Sequence, residues 1–208
     1  MISTSELTFS YANGPQFHFK NMECASKDVL LILGRSGKGK TTLLHLLAGI
    51  LPAEKGQVII DQEDLTQLSP RALDQYRGEN IGLIFQTAHF IKSLSVIDNL
   101  IMPAFLVGKK MDKKAAQQLL DRLNIGDKSN VFPHEMSIGE QQRLSIARAI
   151  INEPKVILAD EPTSALDDGN AFEVMNLLEE EAKRTGSALI VVTHDTRLKD
   201  RYPNRIEL

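Results

Sequence analysis

The sequence has a single cysteine and no long hydrophobic run, and both shortages exclude classes of protein. Because Cys24 stands alone among 208 residues, an internal disulfide and a zinc site built from several cysteines are excluded, and a reduced compartment is the expected setting. No stretch approaches the roughly 18 apolar residues that a membrane-spanning helix needs. The first residues also lack the basic start and apolar stretch of a secretion signal, so we expect a cytoplasmic protein.

Neither sign of charge is in large excess. Lysine and arginine number 24 and aspartate and glutamate 27, which gives a net charge of −3. This balance argues against binding nucleic acid through bulk positive charge. With 42% hydrophobic and 25% charged residues and no internal repeat, the composition is that of an ordinary globular protein. We expect one domain with a core of its own, with or without a small appended lobe.

Short apolar segments alternate with longer periodic ones along the chain. Runs of β-branched residues or leucine predict strands at 7–11, 17–20, 29–33, 58–60, 81–85, 156–159, 188–193 and 205–208. Helical periodicity predicts helices at 40–49, 113–123, 139–151 and 170–184. The segments 29–33, 156–159 and 188–192 are apolar on both faces, which is typical of a parallel sheet covered by helices.

Two further features complete the predicted architecture. The early strands alternate in polarity and have short connections, which indicates an antiparallel edge. The stretch 93–131 is mostly helical and lies between strand-rich segments. We therefore predict an α/β fold with a core of about 1–92 and 153–208 and an inserted helical lobe of about 93–152.

A glycine-rich loop follows the predicted strand 29–33 and opens the first helix; it reads Gly34-Arg35-Ser36-Gly37-Lys38-Gly39-Lys40-Thr41-Thr42. This matches the phosphate-cradling pattern of glycine, four residues and Gly-Lys-Thr, in its strand–loop–helix context. Glycines let backbone N–H groups point inward, and the helix N-terminus attracts anions. We expect Lys40 to reach the β- and γ-phosphates and the Thr41 hydroxyl to bind Mg²⁺. Lys38 either adds charge near the phosphates or points to solvent.

Polar residues end three of the predicted strands. Asp160 and Glu161 end the strand at 156–159, His194 follows the strand at 188–193, and Gln86 follows the strand at 81–85. Ligands bind at the carboxyl edge of a parallel sheet. We expect Asp160 to hold Mg²⁺ and Glu161 to polarise a water for attack on the γ-phosphate. His194 is a candidate for holding that water or the phosphate, and Gln86 is a weaker candidate for the magnesium shell.

A segment near residue 140 resembles the signature of one particular family. Met136-Ser137-Ile138-Gly139-Glu140-Gln141-Gln142-Arg143 resembles the signature of the ATP-binding subunits of ABC transporters, which other phosphate-loop families lack. The resemblance covers nearly the whole chain and implies an ABC-type P-loop NTPase fold with an inserted helical signature subdomain. It further implies a head-to-tail dimer with two ATP molecules at its interface, in which Ser137, Gly139 and Glu140 of one subunit close over the nucleotide of the other.

The resemblance also assigns roles outside the signature. Tyr11 is similar to the aromatic residue that stacks on adenine, although a core position at a strand end is an alternative for it. Gln86 resembles the glutamine that couples the nucleotide site to the helical lobe, and His194 resembles the switch histidine. The segment Ser164-Ala165-Leu166-Asp167 resembles a loop that contacts the other subunit. Residues 158–163 and 81–86 resemble the lipoprotein-release, macrolide-export and cell-division branch most closely.

The implied function is to power an ABC transporter by hydrolysing ATP with Mg²⁺. The chain would pair with a copy of itself or a second ATPase subunit and bind a membrane-spanning permease subunit, without entering the lipid or binding nucleic acid. It would lie on the cytoplasmic face of the cell membrane. The partner's groove is expected near 86–106, where the apolar residues include Phe90, Ile91, Ile97, Leu100 and Phe105; we expect most of them in the core and a few facing the partner.

Three other functions remain open for this sequence. A soluble ABC ATPase of DNA repair or translation would usually carry two cassettes or a long coiled insertion. A cell-division scaffold that binds ATP as a signal would hydrolyse it very slowly. A small-molecule kinase would share the phosphate loop, but the signature segment argues against it.

One residue departs from the signature. Ile138 stands where the first glycine is expected, and a β-branched residue disfavours a positive φ and adds bulk near a phosphate. We predict that Ile138→Gly changes the ATPase rate by more than it changes the affinity of the monomer for ATP. Steady-state turnover and titration with a fluorescent ATP analogue measure the two quantities. An unchanged turnover rate would show that the isoleucine is tolerated.

Overall fold

The computed structural model describes residues 1–12, 14–35, 37–164, 166–199 and 201–208, and its strands form two sheets. The strands of the first sheet are β4 (Val29–Leu33), β7 (Ile81–Ile84), β8 (Val156–Asp160), β9 (Ala188–Thr193) and β10 (Arg205–Glu207). This sheet is parallel and has the order β10-β4-β9-β8-β7. The parallel core predicted from the doubly apolar strands is therefore confirmed.

The second sheet is antiparallel and is built around the long strand β1 (Ile2–Ser10). This strand pairs with β2 (Gln16–His18), β3 (Met22–Cys24) and β5 (Lys55–Ile60), and β5 pairs with β6 (Glu63–Asp64). The predicted antiparallel edge is confirmed, but β1 starts five residues before the predicted position. Its alternating burial begins at Ile2 and includes the polar residues Ser3 and Ser5. Because these residues are polar, the sequence did not predict the first part of the strand.

The helices are α1 (Lys40–Leu47), α2 (Pro70–Asn80), α3 (Val96–Leu106), α4 (Lys113–Arg122), α5 (Ile138–Ile150) and α6 (Asp168–Thr185). Short 3₁₀ turns lie at Leu65–Gln67, Gly126–Lys128, Pro133–Glu135 and Thr196–Leu198. Helix α2 was not predicted, because none of its residues is fully buried and its apolar periodicity is weak. The signal that marks it is local: the Ser69 hydroxyl caps the helix and Pro70 occupies its first turn.

The parallel sheet divides the apolar core into two layers. On one face, Leu30, Ile32 and Leu158 pack in a cluster with α1 and the antiparallel sheet. On the other face, Leu31, Ile157 and Leu189 pack in a cluster with the helices α3 to α6. Because side chains of a strand alternate between faces, only a strand that is apolar throughout can serve both layers.

The helices α3, α4 and α5 lie between β7 and β8 in the chain, as the predicted helical stretch requires. Arg122 of α4 donates from Nε to Oε1 of Glu181 on α6 at 2.9 Å, and Arg184 donates from Nε to the other oxygen at 2.8 Å. Two guanidinium groups thus compensate the charge of Glu181, which is buried. Among the described residues, no helix is both long enough and apolar enough to cross a membrane.

Cys24 provides a test of this packing. Its side chain is buried at the end of β3, and burial, with the charge of Asp28, raises the pKa of the thiol to about 11. The thiolate is the reactive form, so we expect the folded protein to react with a disulfide reagent at pH 8 at least about 100-fold more slowly than the unfolded chain. Labelling with and without 8 M urea measures the ratio. Fast labelling of the folded protein would contradict the buried position.

Candidate functional site

The glycine-rich loop connects the end of β4 to the start of α1. Gly37 and Gly39 have φ values of +80° and +87°, and Gly39 caps α1 in the left-handed region. A Cβ atom on Gly39 would also lie 2.7 Å from the ring of Phe17. Glycine is therefore required at position 39 both by the backbone conformation and by the neighbouring ring. Ser36, one of the predicted phosphate ligands, lies outside the described residues.

Lys40 is buried at the start of α1 and points back into the loop. Its Nζ donates to the carbonyl oxygen of Gly34 at 2.8 Å and to that of Arg35 at 3.4 Å. It also lies 3.5 Å from Oε1 of Glu161, with which it forms an ion pair. A buried ammonium group needs anionic or carbonyl partners, and this one is held where an anion bound by the loop would meet it.

Asp160 ends β8, and its carboxylate is also buried. The Thr41 hydroxyl donates to Oδ2 of Asp160 at 2.9 Å, whereas Oδ1 has no hydrogen-bond partner among the described residues. Burial raises the pKa of Asp160, and the hydrogen bond from Thr41 only partly offsets this. An unsatisfied buried carboxylate oxygen beside a hydroxyl is a donor set that suits a hard cation such as Mg²⁺.

Glu161 follows Asp160 and adopts a left-handed backbone conformation, with φ at +50°. Oε2 accepts hydrogen bonds from the Thr193 hydroxyl at 2.8 Å and from the backbone N–H of His194 at 3.2 Å. His194 Nδ1 lies 2.8 Å from Oε1 and must donate, because a carboxylate only accepts. Burial raises the pKa of Glu161, but the hydrogen bonds from His194 and Thr193 outweigh it and leave that pKa below its ordinary value.

These groups surround a cavity of about 670 Å³, the phosphate-side cavity. The predicted site residues that line it are Arg35, Gly37, Gly39, Lys40, Thr41, Thr42, Gln86, Asp160, Glu161 and His194. Parts of the chain that are far apart in sequence thus meet at one edge of the parallel sheet. In the described part of the chain, the predicted residues Tyr11, Gly34, Lys38, Ser137, Gly139 and Glu140 do not line it.

Phe17 lines the phosphate-side cavity although the sequence did not single it out, whereas Tyr11 lies beside it. The hydroxyl of Tyr11 is 3.1 Å from Oγ1 of Thr42, and its ring meets the rings of Phe9 and Phe17 edge to face. Phe17 stacks on Phe19 at 5.9 Å. The sequence places Phe17 in a predicted strand, but the contact of its ring with Gly39 depends on the tertiary structure.

The signature segment lies at the start of α5, outside the phosphate-side cavity. The Ser137 hydroxyl caps the helix by accepting from the backbone N–H of Glu140 at 3.3 Å and donates to the Glu140 carboxylate at 2.9 Å. Ile138 is the first residue of the helix and is not among the residues with a positive φ. The concern about its backbone conformation was therefore wrong, because the position is helical. Its side chain is 63% exposed, so its bulk remains available to a neighbour.

The loop predicted to contact another subunit precedes α6. Ser164 donates to the backbone oxygen of Glu161 at 3.1 Å, and Asp167 caps α6 by accepting from the N–H of Asn170 at 3.0 Å. Ala165 of this loop lies outside the described residues. On its two described sides, the loop is thus tied to Glu161 through Ser164 and to α6 through Asp167.

A second cavity of about 670 Å³, the lateral groove, lies between α2, α3 and α5. Its apolar lining includes Phe85, Ile91, Met102 and Leu106, and the guanidinium of Arg148 lies over the ring of Phe90 at 5.0 Å. The stretch 86–106, near which a partner's groove was predicted, contributes His89, Ile91, Asn99, Met102, Pro103 and Leu106 to this lining, and Ile91 is the one of the five named apolar residues that lines it in the described part of the chain. The others are divided between core and surface: Leu100 is fully buried, Phe90 and Ile97 are partly buried, and Phe105 is 71% exposed.

Comparison with known proteins places the chain in a family. A family model described as ABC transporter matches residues 18–164. The lipoprotein-releasing system ATP-binding protein LolD of Shewanella denitrificans is 38% identical over 193 residues, which are 92% of this chain and 83% of that protein. LolD of Treponema denticola is 36% identical over 202 residues, which are 95% of this chain and 89% of that protein.

A solved structure supports the same assignment at the level of the fold. The ATP-binding cassette MJ0796, in a dimeric post-hydrolysis state bound to ADP and Pi, aligns with a TM-score of 0.89 and 30% identity. The alignment covers 100% of this chain and 94% of that one. The chain therefore belongs to the ABC transporter family, as an ATP-binding cassette with an ABC-type P-loop fold.

Proposed function

We propose that this chain hydrolyses ATP to drive a membrane-spanning transporter subunit. The observation that carries the proposal is the convergence of Lys40, Thr41, Asp160, Glu161 and His194 on one cavity next to a glycine-rich helix N-terminus. Phosphoryl transfer to water uses a cation against the phosphates, ligands for Mg²⁺ and a group that positions the water. Lys40, the carboxylate of Asp160 and the pair of Glu161 and His194 suit these three tasks. The choice of ATP as the nucleotide is supported by the similar cassette MJ0796, whose structure is bound to ADP and Pi.

The phosphates of ATP are proposed to lie against the loop. Backbone N–H groups of residues 37–41 and the start of α1 attract the anion, and Lys40 exchanges its loop carbonyl partners for phosphate oxygens. Thr41, Asp160 and Gln86 are the residues that would hold Mg²⁺, which neutralises charge on the β- and γ-phosphates when bound. Phe17 and Tyr11 provide aromatic faces beside the loop for the adenine ring.

Glu161 is proposed to act as the general base. It accepts the proton of a water that attacks the γ-phosphorus in line, the bond from phosphorus to the β–γ bridging oxygen breaks, and ADP and phosphate leave. The lowered pKa keeps Glu161 ionised and able to accept a proton. His194 orients the carboxylate through Nδ1 and leaves its other ring nitrogen to face the γ-phosphate.

The signature segment is proposed to complete the site of a second copy. Ser137, Gly139 and Glu140 do not line the phosphate-side cavity of their own chain, so they serve a nucleotide only if another subunit presents one. The start of α5 provides unpaired N–H groups for that contact. A head-to-tail dimer with two sandwiched nucleotides satisfies this geometry, and the dimeric state of the similar cassette supports it.

The lateral groove is proposed to receive the membrane-spanning partner. It is mostly apolar, and Arg148 lies in it without a carboxylate partner among the described residues. Phe85 faces the lateral groove while the next residue, Gln86, lines the phosphate-side cavity. We propose that the chain docks there on the cytoplasmic face of the cell membrane, and the similarity to LolD favours lipoprotein release as the transport process.

The role of Glu161 is tested by Glu161→Gln, which keeps the shape of the side chain and removes its basicity. We expect kcat for ATP hydrolysis to fall by about 10²–10⁴-fold while ATP still binds. ATP-bound dimer should accumulate in size-exclusion chromatography, because hydrolysis no longer separates the subunits. Glu180→Gln, which changes an exposed carboxylate on α6, is the matched control and should hydrolyse ATP at the original rate. Unchanged turnover in Glu161→Gln would show that Glu161 is not the base.

The lateral groove is tested by Leu106→Glu, which introduces a charge into the apolar lining. Leu106 is 73% exposed, so the folded chain should tolerate the change. We expect the amount of membrane-spanning subunit that copurifies in detergent to fall at least about tenfold, with the ATPase rate of the isolated chain unchanged. Phe172→Glu alters an exposed apolar residue outside the groove and should copurify normally. Equal recovery with both variants would exclude the groove as the docking site.

A further inference from the structure

Strand β9 ends in a polar residue that neither the glycine-rich loop nor the signature explains. Thr193 follows five apolar residues and is fully buried, with 0% of its surface exposed. A buried hydroxyl destabilises the fold unless it forms hydrogen bonds. This hydroxyl forms two: it donates to Oε2 of Glu161 at 2.8 Å and accepts from the backbone N–H of Asp195 at 3.0 Å.

The direction of the first hydrogen bond is fixed by the second. A threonine hydroxyl has one proton; the N–H of Asp195 can only donate to it and the ionised carboxylate of Glu161 can only accept, so the proton points to Glu161. Oε2 therefore has two donors in fixed positions, the Thr193 hydroxyl and the His194 N–H. Oε1 instead faces Lys40 Nζ and His194 Nδ1, and both of these residues line the phosphate-side cavity.

The backbone of Thr193 is tied to the other half of the site. Its carbonyl oxygen accepts from the N–H of Gly34, the first residue of the glycine-rich loop, at 3.3 Å. The neighbouring carbonyl, that of Val192, accepts from the N–H of Glu161 at 2.8 Å. One short segment of β9 thus holds both the phosphate loop and the carboxylate, and it does so within the regular pairing of three parallel strands.

Thr193 itself is not among the described residues that line the phosphate-side cavity. Its hydroxyl therefore acts on the reaction indirectly, and Glu161 is the one residue that both lines this cavity and accepts that hydroxyl's proton among the described residues. We propose that Thr193 is a positioning residue that anchors Oε2 of Glu161, so that Oε1 is presented to the attacking water. This inference rests on the proposed role of Glu161 as the base. Threonine suits the position because valine, of nearly the same shape, would leave Oε2 with one donor fewer and the N–H of Asp195 without its acceptor.

Thr193→Val tests the proposal, with Thr193→Ser as the variant that restores the hydroxyl. We expect kcat of Thr193→Val to fall about 10- to 100-fold, because a displaced base costs that much, while KM for ATP stays the same. Thr193→Ser should recover most of kcat. Thr4→Val is the matched control: it removes another buried hydroxyl, one that accepts from the N–H of Met22 at 3.2 Å in the antiparallel sheet, and kcat should stay the same.

A double-variant cycle separates positioning from a loss of stability. In the Glu161→Gln background, adding Thr193→Val should lower the residual rate by less than twofold, because the two residues act as a unit. Two independent sites would instead show additive effects. Equal kcat for Thr193→Val and wild type, or full additivity in the cycle, would overturn the proposal. If Thr193→Val does not fold, Thr193→Ala is compared with Thr193→Ser in the same cycle under the same criteria.

The outcome for Thr193 is distinct from the outcome for the proposed function. A wild-type chain that does not hydrolyse ATP, or a Glu161→Gln variant with unchanged turnover, would refute the function and the inference together. An active wild type with an impaired Glu161→Gln and a fully active Thr193→Val would refute the inference alone. If Thr4→Val lowers the activity as much as Thr193→Val does, the effect is one of stability, and the inference about Thr193 is refuted.

Discussion

The structure depends on the register of three parallel strands. Leu33 of β4 pairs with Thr193 of β9, and Asp160 of β8 pairs with Val192. The carboxyl ends of these strands therefore lie side by side, and the residues that follow them meet at one edge. A shift of the pairing by one residue would turn each side chain to the opposite face of the sheet. Because both faces are closely packed, such a shift would disrupt both layers of the core.

Charge compensation in the buried site is the second constraint. Lys40, Asp160 and Glu161 are each less than one-tenth exposed, and isolated charges at such depth would be strongly unfavourable. Lys40 binds two loop carbonyls and Glu161, and Glu161 receives further hydrogen bonds from Thr193 and His194. The groups that would bind nucleotide thus stabilise one another in its absence. On the proposed function, ATP and a cation would take the place of some of these internal partners.

The two large cavities share a boundary at the end of β7. Phe85 lines the lateral groove and Gln86 lines the phosphate-side cavity, so a single step along the backbone separates the two surfaces. Phe85 also meets His45 of α1 and His89 edge to face, which connects the helix that follows the phosphate loop to the groove. A movement at either cavity therefore displaces atoms that belong to the other. On the proposed function, this shared boundary is where bound ATP and a partner in the groove would influence each other.

The sequence by itself determined the parallel core, the glycine-rich loop and the ends of the strands that bear Asp160, Glu161 and His194, because these depend on local spacing and on apolar runs. It did not reveal α2, which is recognisable only by its cap, or the ring of Phe17 against Gly39. It also suggested strain at Ile138, whereas the segment is an ordinary helix start. Only the tertiary structure decided that Thr193 holds the carboxylate of Glu161, because that contact joins residues 32 positions apart and depends on how neighbouring strands align.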